Sequence, residues 1–264
     1  MGSLSGLSHK FLHEYQETAI LDLTKLQPRD VDVEIPGKEP EIDWDNLIYI
    51  KNNRDLGKNG ETIVWTASGG FFRTPLSPKQ VVDLRANTGV VSWLDMLAYQ
   101  QQMVQEERGT GEFTLPFVLG DLELIQIGRE NHSHRNWLNC TKVETTNRTG
   151  TDEKSLVLLD HNAKALVNER FSRLKRKMHQ ADAIHTNEQE HLNLMNFQHQ
   201  HRRYPVQTYH GYEYQQQQRL KLHRLHVNRD VIFAQKLLKY YEVPVEEKAL
   251  RHVVDRILKN ERLT

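Results

Sequence analysis

The sequence predicts an α+β fold: an antiparallel sheet with one or two packed helices, followed by a C-terminal helical hairpin. Three observations predict it. Short runs of β-forming residues recur between turn signals from Leu47 to Asn168, helical spacings lie between and after them, and residues 229–264 hold two further amphipathic runs. The chain of 264 residues is long enough for about two units of 100–150 residues each. With 38% hydrophobic and 27% charged residues it is too apolar for wholesale disorder.

Pro28, Pro36, Gly37 and Pro40 stand among acidic side chains, so residues 1–46 are expected to form an exposed acidic arm and linker. Residues 47–181 are expected to be the folded α+β domain. Leu47-Ile48-Tyr49-Ile50 and Thr62 to Thr66 read as two strands joined by a loop containing Asn59-Gly60, with Gly69-Gly70 ending the second. Ser77 fits an N-cap and Pro78 the first helical position. The helical pattern after them runs from Lys79 to about Gln105, with an interruption at Thr88-Gly89.

Phe113 to Val118 and Leu122 to Ile127 flank Gly120-Asp121 as a hairpin, and Trp137 to Val143 mixes β-formers with polar residues. Ser155 to Leu159 is a short strand after the Thr149-Gly150 turn. Asp160-His161-Asn162 turns the chain, Ala163 to Asn168 returns, and Glu169 opens a basic helix to about Gln180. Residues 182–228, with few apolar side chains and much Gln, His and Tyr, are expected to be a linker. In the terminal segment, Val231, Ile232, Ala234, Leu237, Leu238 and Tyr241 precede a break at Val243-Pro244. Leu250, Val253, Val254, Ile257 and Leu258 then sit at core spacing on a second helix, Glu246 to Asn260.

Lys plus Arg equals Asp plus Glu at 35 each, so any polyanion-binding surface must come from local asymmetry. Residues 1–50 carry 4 basic and 10 acidic side chains, whereas residues 130–181 carry 10 and 6. The front is acidic and the back basic, which suggests a partner for the basic part. Cys140 is the single cysteine, which excludes an intrachain disulfide and a multi-cysteine zinc site and fits a reducing compartment. The residues from Met1 to Lys10 do not read as a signal peptide, and no run approaches the roughly 18 apolar residues of a membrane span. A soluble cytoplasmic protein without a membrane contact is expected.

Asn131-His132-Ser133-His134-Arg135 could place two histidines on one face of a strand, but no second ligand cluster accompanies them, and a polar loop is the expected state. Eight of the fourteen histidines lie between His179 and His226 at irregular spacing, which argues against a specific metal site. Cys140, inside a strand pattern, reads as a structural thiol. The nucleophile elbow, the phosphate loop and the dinucleotide fingerprint are all missing from the sequence. No enzymatic activity, cofactor or metal is expected.

Arg170, Arg173, Lys175, Arg176 and Lys177 spread over one short helix while Phe171, Leu174 and Met178 keep an apolar stripe. Such a basic surface neutralises phosphates and releases condensed counterions. A second group, Arg202, Arg203, Arg219, Lys221 and Arg224, is interleaved with Tyr204, Tyr209, Tyr212 and Tyr214. It fits either a polar tether or a stacking surface for bases.

The order of these features resembles the ComK family of competence transcription factors. It runs from the strand pair through Thr74-Pro75-Leu76 and a helix to a strand with Pro116. Trp137, Thr149-Gly150, Leu156 to Leu159, Asp160-His161-Asn162 and a final helix with Arg170, Leu174 and Arg176 follow, so the resemblance covers about residues 45–181. His134-Arg135-Asn136-Trp137-Leu138-Asn139 is also similar to the His-Arg-x-x-x-Asn stretch of LytTR-type DNA-binding domains. Both resemblances imply DNA binding. The first implies A·T-rich sites read largely through the minor groove, by oligomers assembled on promoters.

The expectation is therefore a sequence-selective transcription regulator that binds double-stranded DNA as a homo-oligomer. Arg135, Arg148, Arg170, Arg173, Lys175, Arg176 and Lys177 are its candidate contacts. The alternative is an adaptor that binds protein through the acidic arm and the C-terminal hairpin, with the basic helix as plain surface.

Overall fold

The computed structural model describes residues 4–36, 40–53, 61–88, 116–128, 136–151, 153–160, 163–200 and 209–260. The chain divides into two compact units. Met1–Gly89 with Thr114–His185 forms the first, and Val90–Phe113 with Thr186–Thr264 the second.

The first unit is built on two sheets. The larger has six antiparallel strands in the order β4-β3-β2-β7-β6-β5: β2 (Leu47–Asn52), β3 (Thr62–Thr66), β4 (Gly70–Thr74), β5 (Phe117–Leu119), β6 (Leu122–Ile127) and β7 (Asn136–Asn139). Residues Leu47 to Lys51 are all buried, which requires cover on both faces of β2 and explains its unbroken apolar run. Trp65 and Phe71 stack with ring centroids 4.8 Å apart. The expected hairpin around Gly120-Asp121 is β5 and β6, and Gly120 takes the left-handed conformation its turn needs. The second strand ends before Gly69-Gly70 as expected, and the chain turns there directly into a further strand, β4, which was not expected.

Helix α2 (Pro78–Thr88) starts where the sequence places it. The Gln80 amide donates to Ser77 Oγ at 3.2 Å, and the Ser77 amide donates to Gln80 Oε1 at 2.8 Å, a reciprocal cap. The rest of the expected helical stretch to Gln105 lies outside the described residues.

Residues 1–46 are not the exposed arm their acidity suggests. Helix α1 (His9–Thr18) is capped by Ser8, and Leu7, Phe11, Leu21, Leu23, Leu26 and Val31 are buried. The Phe71 amide donates to Ser5 O, the Arg73 amide to Val33 O and the Ile35 amide to Arg73 O, so two N-terminal segments are bonded to β4. Arg73 bridges Glu34 and Glu61, each at 2.9 Å, which neutralises part of the acidic charge on the sheet itself. Apolar residues spaced among the carboxylates override the composition.

The second sheet has the order β1-β10-β9-β8, formed by β1 (Leu21–Asp22), β8 (Val143–Arg148), β9 (Ser155–Leu159) and β10 (Ala163–Val167). β1 pairs parallel to β10; the other pairs are antiparallel. Ser155, Val157 and Leu159 of β9 and Ala163, Ala165 and Val167 of β10 are buried at alternate positions. Helix α3 (Phe171–Gln200) follows β10 and buries Leu174, Lys177, Ala181 and Ile184. Farther along, His185 Nδ1 meets Gly120 O at 2.9 Å and lies 3.7 Å from Glu123. Burial raises the pKa of the Glu123 carboxyl, an effect that the neighbouring His185 opposes. Cys140 is buried, and burial pushes its thiol pKa up, as suits a structural side chain.

In the second unit, α4 (Tyr209–Tyr240) and α5 (Glu247–Asn260) form the expected C-terminal hairpin. Val227, Val231 and Val254 make its apolar seam, with Leu250 and Leu258 packed alongside. Polar pairs clasp the seam: His223 Nε2 to Asp255 at 2.8 Å, and Arg251 to Asn228 Oδ1. Residues 182–228, expected as a linker, are helical wherever described. Between Phe171 and Gln200 there is neither Gly nor Pro, and Gln and Glu are good helix formers. Among the described residues no helix is long and apolar enough to cross a membrane.

Candidate nucleic-acid interface

The site is assembled at the start of α3, where Arg170 and Phe171 leave the second sheet. Glu169, just before them, is buried and fixes the junction. Its carbonyl accepts from Ser155 Oγ at 2.7 Å, and its carboxylate accepts from the Gly128 amide at 3.3 Å. The same carboxylate holds Lys177 Nζ at 2.6 Å and lies 3.7 Å from Arg173 Nε.

The seven sequence-predicted contacts separate accordingly. Lys177 is 8% exposed and also donates to Gln126 O at 2.7 Å, so it is a buried structural cation in this conformation. Arg173 is half-buried beside Glu169. Arg170, just before α3, and Lys175 and Arg176 on its first two turns are exposed, and Arg148 is exposed at the end of the edge strand β8. Among the described residues, Arg148, Arg170, Lys175 and Arg176 stand in no ion pair. Arg135, with His132 and His134, lies outside the described residues.

β8 brings Arg148 to the helix. In its antiparallel register Arg148 lies opposite Ser155, the residue bonded to Glu169 O, so the two share the sheet face that meets the helix start. The Arg148 guanidinium lies 5.4 Å from the Phe171 ring centroid and Lys175 Nζ lies 5.1 Å from it. Two cations from separate elements are thus held by one aromatic ring. Phe171, which its hydrophobicity places in the apolar stripe of the sequence, is the residue of this candidate site that the sequence does not single out.

Apart from the buried Glu169 carboxylate, the charged residues from Arg170 to Lys177 are all positive. The first turn of α3 has no acidic residue, and a helix N-terminus already carries about half a positive charge from its aligned peptides. Cations there repel the dipole, a cost that a bound anion offsets. Arg is suited to bidentate phosphate or base contacts, and Lys175 supplies a point charge.

The Asn136 and Asn139 side chains of the His-Arg-x-x-x-Asn stretch are structural. Asn139 Nδ2 donates to Leu47 O at 2.8 Å and its Oδ1 accepts from the Thr141 amide at 3.2 Å; Asn136 Oδ1 accepts from the Asn52 amide at 2.9 Å. Both lock β7 to β2. Comparison of the chain with protein-family models, with curated proteins and with solved structures gives no match.

Proposed function

We propose that the chain is a sequence-selective DNA-binding transcription regulator, of the competence type its sequence resembles. Arg148, Arg170, Lys175 and Arg176 touch the duplex in this reading, with Arg135 as a further contact. One observation carries it: two exposed cations from separate elements, Arg148 and Lys175, are held on the Phe171 ring at the positive end of a helix, with Arg170 and Arg176 exposed along the same first two turns of chain. Arg173 and Lys177 act one step back, tying the helix to Glu169 so that the exposed cations keep their geometry. Narrow A·T-rich minor grooves, with their enhanced negative potential, are the sites such arginines favour.

The test is fluorescence anisotropy of the full chain with labelled A·T-rich and G·C-rich duplexes at equal length and salt. The proposal expects at least tenfold tighter binding to some A·T-rich sequences than to the G·C-rich duplex. Equal affinity for every duplex, or none for any, overturns it.

A further inference from the structure

We propose that β8 is the edge through which two copies of this chain pair, antiparallel, with Thr146 of each copy at the two-fold axis. β8 ends the strand order of the second sheet and has β9 on one side only. Among the described residues, no backbone hydrogen bond joins its other edge to a further segment. The edge of the six-stranded sheet is treated differently, because β4 is bonded to Ser5 and Val33 of the N-terminal segments. Open N–H and C=O groups along a strand are a template for another strand. Val143, Thr145 and Thr146 favour that conformation, and Glu144, Thr145, Asn147 and Arg148 are exposed.

Charge selects the occupant and the register. Directly opposed residues of an antiparallel pair share a sheet face, so two identical strands related by a two-fold axis must set one residue opposite itself. With Thr146 in that place, Glu144 lies opposite Arg148 of the second copy and Arg148 opposite its Glu144, with the two threonines between them. Opposite charges and threonine pairs are both favourable at such positions. Centring on Thr145 instead sets Arg148 against Lys142, two like charges, and centring on Asn147 sets it against Thr146. Among the described residues neither Glu144 nor Arg148 stands in an ion pair within its own chain. The bulge between Val143 and Thr145 leaves Thr145 to Arg148 in unbroken register with Leu158 to Ser155.

Charged side chains on an edge normally repel other strands. Here they are self-complementary, so they discourage an unrelated strand and admit a second copy of this one. The pairing joins two four-stranded sheets into one of eight. Its axis stands perpendicular to the sheet, which puts the start of α3 in both copies on the same side. Arg148 then lies between Phe171 of its own copy and Glu144 of the other, and its five donors serve that carboxylate while leaving some for a phosphate. A single strand pair is a small contact, so the dimer is reversible. The pairing does not rest on the duplex reading.

The test is sedimentation velocity of the full chain at low salt and without nucleic acid, over about 5–300 µM protein, a range suited to a small interface. The proposal expects the parent to pass from monomer to dimer. Glu144→Arg alone, or Arg148→Glu alone, sets like charges opposite each other twice and weakens the dimer at least tenfold. An equal mixture of the two single variants restores it, because the arginines of one chain then face the carboxylates of the other. The double variant, Glu144→Arg with Arg148→Glu, dimerises like the parent. Circular dichroism checks that each variant is folded, and the rescue on mixing requires it. Three results overturn the proposal. These are a parent that stays monomeric, including one that takes up an extended Val-Thr peptide instead, a dimer that neither single reversal weakens, and single variants that stay apart when mixed. Duplex affinity is not read in this experiment, so a chain that fails to bind DNA leaves its outcome unchanged.

Discussion

Glu169 grips Lys177 Nζ at 2.6 Å, with the two side chains 2% and 10% exposed, while Lys175, two residues earlier, stands at the surface over Phe171. One basic run thus contains a structural cation and a surface cation. Removing one member of a buried ion pair strands the other charge and costs about 3–5 kcal/mol. Lys177→Met is therefore expected to lose that much unfolding free energy in urea, whereas Lys175→Met changes it by about 0.5 kcal/mol or less. Equal stability of the two variants contradicts the assignment.

Asn139 spans β7 and β2 through its bond to Leu47 O and is 1% exposed. Asn139→Ala leaves that carbonyl and the Thr141 amide without their partner, a loss of about 1–3 kcal/mol. Chemical denaturation checks it, and a variant as stable as the parent shows that other groups take over the bonds.

Gly70 has φ +81°, and a Cβ there would lie 2.4 Å from Ser5 O. The strand start must therefore lack a side chain for the N-terminal segment to approach. Gly70→Ala is expected to cost about 1–3 kcal/mol and to raise hydrogen exchange at Phe71, whose amide donates to Ser5 O. Unchanged protection at Phe71 counts against this.

Lys51 is buried, with Nζ donating to Leu23 O at 2.6 Å and Thr24 O at 3.1 Å, and burial lowers its pKa to about 8. The unfolded chain holds the proton up to the ordinary value of 10.5, so between pH 8 and 10.5 the unfolded state binds more protons. Stability contributed by this group therefore rises with pH across that window and is lost as pH falls through 8. Tyr49 works the other way: burial holds its phenol neutral, so stability falls once an unfolded tyrosine ionises above pH 10. Denaturation from pH 7.5 to 9.5 is expected to show the parent gaining on Lys51→Met. A constant difference between the two rules out a buried titrating lysine.

How much of this was legible follows residue by residue. The run Ser155 to Leu159, the Gly120 hairpin and the Ser77-Pro78 helix start carry local signals, and each appears where the sequence puts it. β4 was hidden because Gly69-Gly70 reads as an ending, and only the approach of Ser5 shows why glycine opens a strand there. Residues 1–46 were misjudged because carboxylates mask the spacing of Leu21, Leu23 and Leu26, whose burial depends on strands far along the chain. The candidate site was half visible. Its basic helix is a local pattern, whereas the arrival of Arg148 depends on the pairing of β8 with β9. The fate of Lys177 depends on a backbone carbonyl at Gln126, which no spacing rule reports.

The salt dependence of duplex binding tests the DNA reading most directly. Each phosphate contact contributes about 0.9 to the slope of log affinity against log salt, so a steep slope is expected of the parent chain. Arg148→Ala and Lys175→Ala should each flatten it by about one while leaving the fold intact. A slope that neither substitution alters, or a parent chain whose binding ignores salt, contradicts the reading.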